Sequence, residues 1–329
     1  MKKVYKVLLT VISSLAALFL LLFLIWLCQY SHKSNPKKLE VFNTNNNDIF
    51  GETKISAHRS GAGVYPEETM LAFEACVKNF NVDYYEFDLH ITKDDVLILL
   101  HDATLDRTSN CEEVFGETNV RPENKTFDEL QKLNMGLKFV DDNGDAPYKN
   151  VTDPEILSKL KIVSLDQVLD FLTSKGSFKY IIEIKNDGEL GKRSADLLYA
   201  TLKERNLLND VILGCFNKDV PEYVDQKYPD LKRGAYIEEV LAFVKACYTN
   251  DKSYAPKYSV LQLPYGDIHE SKGINFGMLK VINYAHEHNV AVQYWTINKT
   301  KHMEYLKSIG ADCIMTDYPN LVPFMKPIN

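Results

Sequence analysis

Hydrophobic and polar positions divide the chain into unlike stretches. Val7 to Leu27 is apolar almost throughout, interrupted only by Thr10, Ser13 and Ser14. About 20 apolar residues at 1.5 Å rise cross a hydrocarbon core of about 30 Å, whereas a secretory core is usually about 7–15 residues. No small-residue cleavage motif follows Leu27. The pattern predicts a short tail over 1–6 and an uncleaved transmembrane signal-anchor helix over 7–30, with a cleaved signal as the alternative. Lys2, Lys3 and Lys6 precede the run and Lys33, Lys37 and Lys38 follow it, so the positive-inside rule does not orient it. The short tail favours a single-pass membrane protein with its large domain on the extracytoplasmic side. Residues 31–52 are polar and Asn-rich, carry Pro36 and follow neither hydrophobic period, which predicts a linker.

From Lys54 onward the period switches repeatedly between strand and helix. Strands are predicted at Lys54 to His58, Tyr84 to His90, Val96 to Leu100, Tyr180 to Ile184, Val211 to Leu213, Leu231 to Tyr236, Val260 to Leu263, Ala291 to Thr296 and Cys313 to Thr316. Helical stripes lie between several of them. One is opened by Pro66 and carries Phe73, Val77 and Phe80; others cover Leu165 to Leu172, the stretch up to about Asn206, and Phe276 to His288. Such alternation implies parallel pairing. The number of strands suits closure into a (β/α)8 TIM barrel, which needs about 250 residues, and we expect that domain over 53–325. Ala103 to about Lys161 breaks the rhythm with Gly, Asp, Asn and Pro. It reads as an insertion above the barrel mouth, partly helical around Phe127 to Leu133.

Composition narrows the function classes. At 45% hydrophobic and 25% charged, the 329 residues suit a large globular domain rather than a disordered chain. A net charge of −7 argues against a nucleic-acid partner. Cys28, Cys76, Cys111, Cys215, Cys247 and Cys313 form no Cys-x-x-Cys pair. Cys28 ends the apolar run, and the other five read as buried free thiols, with a disulfide from Cys111 as the alternative.

Two strands carry charge where a barrel should be apolar on both faces. Along Tyr84 to His90, side chains alternate: Tyr85, Phe87 and Leu89 can pack beneath helices, while Glu86, Asp88 and His90 point into the barrel. Along Tyr180 to Lys185, Ile182 and Ile184 face outward, and Ile181, Glu183 and Lys185 face inward. Neighbouring carboxylates stay ionised together only if a cation or strong donors compensate. Three oxygen ligands from Glu86, Asp88 and Glu183 suit one hard divalent ion, Mg²⁺ or Ca²⁺. Without a cysteine ligand, zinc is less favoured. A structural ion pair of Glu86 or Glu183 with Arg59 or Lys185 is the competing reading. His58 and His101 each close a predicted strand, and barrel catalysis sits at strand C-termini. Two imidazoles there can divide general-acid and general-base work.

The motifs carry a resemblance. His58-Arg59, Pro66-Glu67-x-Thr69 with Ala72-Phe73, Glu86-x-Asp88, Thr92-x-Asp94 and His101-Asp102-x-x-Leu105-x-Arg107-Thr108 resemble the signature of the glycerophosphodiester phosphodiesterase family. Ser164 to Leu169, Glu183-Ile184-Lys185, Trp295-Thr296-x-Asn298 and Gly310-Ala311-Asp312 through Thr316-Asp317-x-Pro319 are similar to its later segments, so the likeness covers about Ser56 to Pro319. It implies hydrolysis of a glycerol-3-phosphodiester to glycerol 3-phosphate and an alcohol, with Glu86, Asp88 and Glu183 on the metal. It implies His101 as base and His58 as acid, Arg59 and Lys185 on the phosphate, and Trp295 walling the pocket; a rim aromatic of the core is the other reading of Trp295. Alternatives are cleavage of lysolipids, with membrane contact through the N-terminal helix, and an idle barrel used for binding. Two positions depart from the family: Ser60 replaces a usual Gly and Glu68 a usual Asn. Ser60 constrains the first loop if φ > 0 is needed there, and Glu68 is expected to add negative charge near the mouth.

Overall fold

The structure, a computed structural model, describes residues 19–20, 51–267 and 275–328. Its strands are β1 (Lys54–Ala57), β2 (Tyr84–Ile91), β3 (Leu97–Leu99), β4 (Lys179–Ile184), β5 (Val211–Gly214), β6 (Val260–Pro264), β7 (Ala291–Trp295) and β8 (Cys313–Thr316). Seven of them run parallel in the order β5-β4-β2-β1-β8-β7-β6. The gap between β5 and β6 is spanned by Arg233 and Gly234, which bridge in parallel to Leu213 and Val260. These two residues fill the eighth barrel position, so the expected strand from Leu231 to Tyr236 is shortened to a seam.

The segment Val96 to Leu100 does not enter the barrel wall as a parallel strand. Its core, β3, pairs antiparallel with the upper end of β2, Leu89 opposite Leu99 and Ile91 opposite Leu97. The Thr92–Val96 turn is tight: the Val96 N–H donates to Thr92 Oγ1 at 3.0 Å, and the Thr92 N–H donates to the Val96 carbonyl at 2.9 Å. The insertion that follows holds its own small core around Ile98, Leu105, Cys111, Leu130 and Ile162.

Seven helices pack around the sheet: α1 (Met70–Asn79), α2 (Leu165–Lys175), α3 (Gly188–Glu204), α4 (Asp219–Lys227), α5 (Ile237–Thr249), α6 (Leu279–Glu287) and α7 (Thr300–Ser308). The helix expected from Pro66 starts later, because Thr69 caps it: Thr69 Oγ1 accepts the Ala72 N–H at 3.2 Å. A capping box between Ser164 and Gln167 starts α2. Helices α4 and α5 were not anticipated. The outward residues Tyr85, Phe87, Tyr180 and Ile182 are buried beneath the helices in the main core, as alternation requires. Inside, Tyr84, Ile181, Ile212, Val260, Ala291 and Cys313 form an apolar floor contributed by six strands. Burial of such side chains stabilises by about 1.5–3 kcal/mol each, and this floor closes the tube below the polar layer.

Two expectations are corrected. Among the described residues no helix is long and apolar enough to cross a membrane, so the single-pass membrane placement is not upheld. The run at 7–30 lies outside the described residues except for Phe19 and Leu20. The disulfide alternative for Cys111 also falls: it is a buried free thiol, as are Cys76, Cys215, Cys247 and Cys313.

Candidate active site

The acidic strands deliver their side chains as their period dictates. Asp88 and Glu183 are register partners on β2 and β4, and Glu86 lies two residues below Asp88 on the same face. One carboxylate oxygen from each lies within 4.8 Å of the others. Glu86 and Asp88 are buried. Burial and then Asp88 push Glu86 up to about 8 and Glu183 up to about 7. Asp88 moves the other way: burial opposes its charge, but Lys185 and Arg59 outweigh it and hold its pKa below the usual carboxylate value. Even so, among the described residues neither Asp88 oxygen accepts a hydrogen bond. Lys185 Nζ stands 3.5 Å from one oxygen and Arg59 Nε 3.4 Å from the other. A buried carboxylate with neither oxygen hydrogen-bonded, flanked by two more, is an environment a hard cation fits.

The histidines come from two different loops and line one cavity with the acids. His58 opens a 3₁₀ turn directly after β1. Its Nδ1 is 2.5 Å from Asp317 Oδ1, just beyond β8, and its Nε2 is 4.0 Å from Glu86 Oε2. Asp317 is fixed in turn by the Asn298 amide, which donates to Oδ2 at 2.7 Å. Burial resists charge on His58, yet Glu86 and Asp317 outweigh it and its pKa lies above the ordinary value. His101 arrives on the return arm of the β2–β3 hairpin. Its Nδ1 is 2.7 Å from Asp102 Oδ1, and Arg107 donates to both Asp102 oxygens and to both oxygens of Glu67. Burial, assisted by Arg59 and Lys185 against Asp88, lowers the His101 pKa. Each imidazole is thus oriented by a carboxylate, which leaves Nε2 for chemistry.

Arg59, Ser60 and Glu68 all adopt left-handed backbone, with φ of 47°, 60° and 56°. For residues bearing a Cβ this costs roughly 1–2 kcal/mol each. Ser60 therefore sits where the family's Gly is conformationally easy. Glu68 is not at the mouth. It is buried behind β2, where its Oε1 accepts the Asp88 N–H at 2.6 Å, and burial followed by Asp88 raises its pKa well above normal. The Arg59 N–H donates to Glu86 Oε2 at 2.8 Å, so the strained turn also anchors the acidic cluster.

Above these groups lies a cavity of about 380 Å³. His58, Arg59, Glu86, Asp88, His101 and Glu183 line one pole, and Trp295 lines the other, edge-on to Phe216 with ring centroids 5.9 Å apart. Lys185 reaches the same pole as the acids, 2.8 Å from Glu183 Oε1. The structure therefore brings together the predicted site residues, with Trp295 at the far wall. Sequence reasoning missed the orienting roles of Asp317, Asn298, Asp102 and Arg107, although all lay inside quoted motifs. His58 and Asp317 are 259 positions apart, and only ring closure between β1 and β8 joins them.

Comparisons with known proteins agree with this geometry. The chain is 27% identical over 278 residues to a glycerophosphodiester phosphodiesterase of Bacillus altitudinis, covering 82% of this chain and 96% of the relative. A crystal structure of a protein of that description from Silicibacter pomeroyi matches with a TM-score of 0.64 at 16% identity, covering 84% of this chain and 94% of that one. An Oleispira antarctica phosphodiesterase, solved with the product sn-glycerol-3-phosphate, matches with a TM-score of 0.58 at 17% identity over 83% and 95% of the two chains. Both structural likenesses establish the barrel fold. The profile of the glycerophosphoryl diester phosphodiesterase family matches residues 58–321, from the first candidate histidine past the carboxylate that orients it, and the chain belongs to that family.

Proposed function

We propose that the chain is a divalent-metal-dependent glycerophosphodiester phosphodiesterase whose catalytic domain spans 53–325 and which releases glycerol 3-phosphate and an alcohol. Family membership makes it a phosphoric diester hydrolase. The Oleispira antarctica relative carries the product expected here. The observation that carries the reading is Asp88, buried and clustered with Glu86 and Glu183, with neither oxygen hydrogen-bonded among the described residues and two carboxylate-oriented imidazoles lining the same cavity.

Mg²⁺ or Ca²⁺ held by Glu86, Asp88 and Glu183 would neutralise phosphate charge and acidify the attacking oxygen. Arg59 and Lys185 hold the phosphate oxygens, in contacts that strengthen as charge builds in the transition state. His101, neutral because its pKa is lowered, takes the nucleophile's proton. His58, oriented by Asp317 and with its pKa raised by Glu86 and Asp317, gives a proton to the departing alkoxide as its P–O bond breaks. The same transfers serve water or the substrate's own 2-hydroxyl as nucleophile, and a 2-deoxy substrate separates the two. Chelation with EDTA should abolish hydrolysis of glycerophosphocholine, and Mg²⁺ or Ca²⁺ should restore it. Full activity in a metal-free preparation, or unchanged turnover in His101→Ala, refutes the proposal.

A further inference from the structure

The barrel interior departs from an apolar core a second time, and here the departing groups are neutral. Val260, Ala291 and Cys313 belong to the inner floor. Alternation then turns Gln262 on β6 and Gln293 on β7 inward, one layer above that floor. Such layers are ordinarily filled by branched apolar side chains. The two glutamines are register partners, and Gln262 Nε2 donates to Gln293 Oε1 at 2.9 Å. Gln293 is buried and gives its own Nε2–H to Cys313 Sγ on β8 at 3.3 Å. Both amide atoms of Gln293 are thereby used, and the bonded chain leaves one end over. Gln262 Oε1 meets no donor among the described residues, and Gln262 lines the cavity that holds the acids and the histidines.

Two glycines make the room that this carbonyl occupies. A Cβ at Gly234, on the seam, would lie 2.6 Å from Gln262 Oε1. A Cβ at Gly214, which ends β5, would lie 3.6 Å from that oxygen and 3.4 Å from Glu183 Cβ. Gly214 is also the register partner of Glu183. The spare carbonyl and the acid cluster are therefore neighbours across the bare backbone of Gly214. A buried acceptor without a donor is costly, so a ligand that supplies one is favoured there. An ammonium would need a counter-charge, and Glu183 beside it is already bonded to Lys185 Nζ. A hydroxyl supplies the single proton that the oxygen lacks and needs no counter-charge. The geometry points to Gln262 as a specificity-determining residue, whose Oε1 accepts the hydrogen bond of a hydroxyl on an ester substituent of the phosphate held by Arg59 and Lys185. Gln293 is its positioning residue, because it engages the Gln262 amide nitrogen and leaves the oxygen to the substrate. This rests on the proposed diesterase activity and assigns the residue that reads a hydroxyl of its substrate.

The test removes hydroxyls from the substrate and the acceptor from the protein. In one arm, the glycerol of a glycerol-3-phosphate methyl ester loses its hydroxyls one at a time. In the other, the leaving alcohol of a glycerol-3-phosphate ester is glycerol, propanediol or propanol. The arms distinguish which ester substituent carries the hydroxyl. For one of these deletions, kcat/KM of the wild type should fall by on the order of 30-fold, because the acceptor is left unmet. Gln262→Met, of similar length without an acceptor, should be indifferent to that deletion. Gly234→Ala, whose added methyl crowds the carbonyl, should become less sensitive to it with Gln262 still in place. A purely structural Gln262 would lower turnover of every diester alike and leave these ratios unmoved. If no deletion is relieved in Gln262→Met, the inference is overturned and the diesterase reading stands. Should Gln262→Met fail to fold, unaltered ratios in Gly234→Ala overturn it instead. If no diester is hydrolysed at all, the diesterase reading fails, and calorimetry with glycerol 3-phosphate and its deoxy analogues decides Gln262. A hydroxyl preference lost in Gln262→Met supports the assignment; the same preference in both proteins, or no binding, overturns it.

Discussion

Asp317 acts on His58 through one hydrogen bond, and its influence has a sign. The base His101 must be neutral, so activity should rise with pH through a pKa below the usual value of about 6.5. The acid His58 must be protonated, so activity should fall through a pKa above that value. The metal-loaded enzyme should therefore give a bell-shaped profile of kcat/KM spanning neutrality. Asp317→Asn removes a negative neighbour that raises the His58 pKa, and the basic limb should move to lower pH while the acidic limb stays. We expect kcat to fall by roughly 10²-fold, the scale of one general-acid contribution. A profile that is monotonic, or a basic limb unmoved in Asp317→Asn, contradicts the assignment. Glu68 belongs to the same scale. Sequence comparison marks it as a departure, but only the fold shows that it supports the Asp88 backbone from behind instead of meeting substrate.

Arg233 ties the seam to its surroundings. Its guanidinium is 3% accessible and bonds both oxygens of Asp225 on α4 and of Glu239 on α5. Arg233→Ala would leave the Asp225 and Glu239 carboxylates without the cation they share and should destabilise the fold by roughly 3 kcal/mol. A urea midpoint within error of the wild type would show that closure does not depend on this anchor. Most of the barrel was legible because β2, β4 and β8 combine a clear period with unambiguous turn residues. The charged residues of β2 and β4 were legible because they violate that period on one face. Elsewhere the signal ran out. Leu231 to Tyr236 has the composition of a strand, but only Arg233 and Gly234 bridge, since the chain is drawn aside to seat Arg233 between α4 and α5. Val96 to Leu100 reads like a parallel strand because apolar content does not encode direction; the short Thr92–Val96 reversal does. Asp102 and Asp317 gave no local sign of their partners.

Across the whole molecule, strands β2 and β4 gather three carboxylates into one cluster. A cation that binds only the folded state should stabilise it by mass action. Millimolar Mg²⁺ or Ca²⁺ should raise the thermal midpoint by several degrees in the wild type. Glu183→Gln, which withdraws one ligand, should shrink that rise and lose most of the activity while retaining its circular dichroism. A cation-independent midpoint in the wild type speaks against the cluster as a metal centre.

The eighth strand position carries one more consequence. β2 and β4 remain in register from Tyr84 to Leu89, whereas beyond β5 the ring is joined to β6 through Arg233 and Gly234. Stiffness is therefore distributed unevenly around the circumference. Reacting groups, which tolerate little displacement, hang from the firmly laced half. The side of the cavity beside Ala235 and Ile237 borders the lightly stitched seam, so any give in the ring is taken up there before it reaches Glu86 and Asp88 on β2.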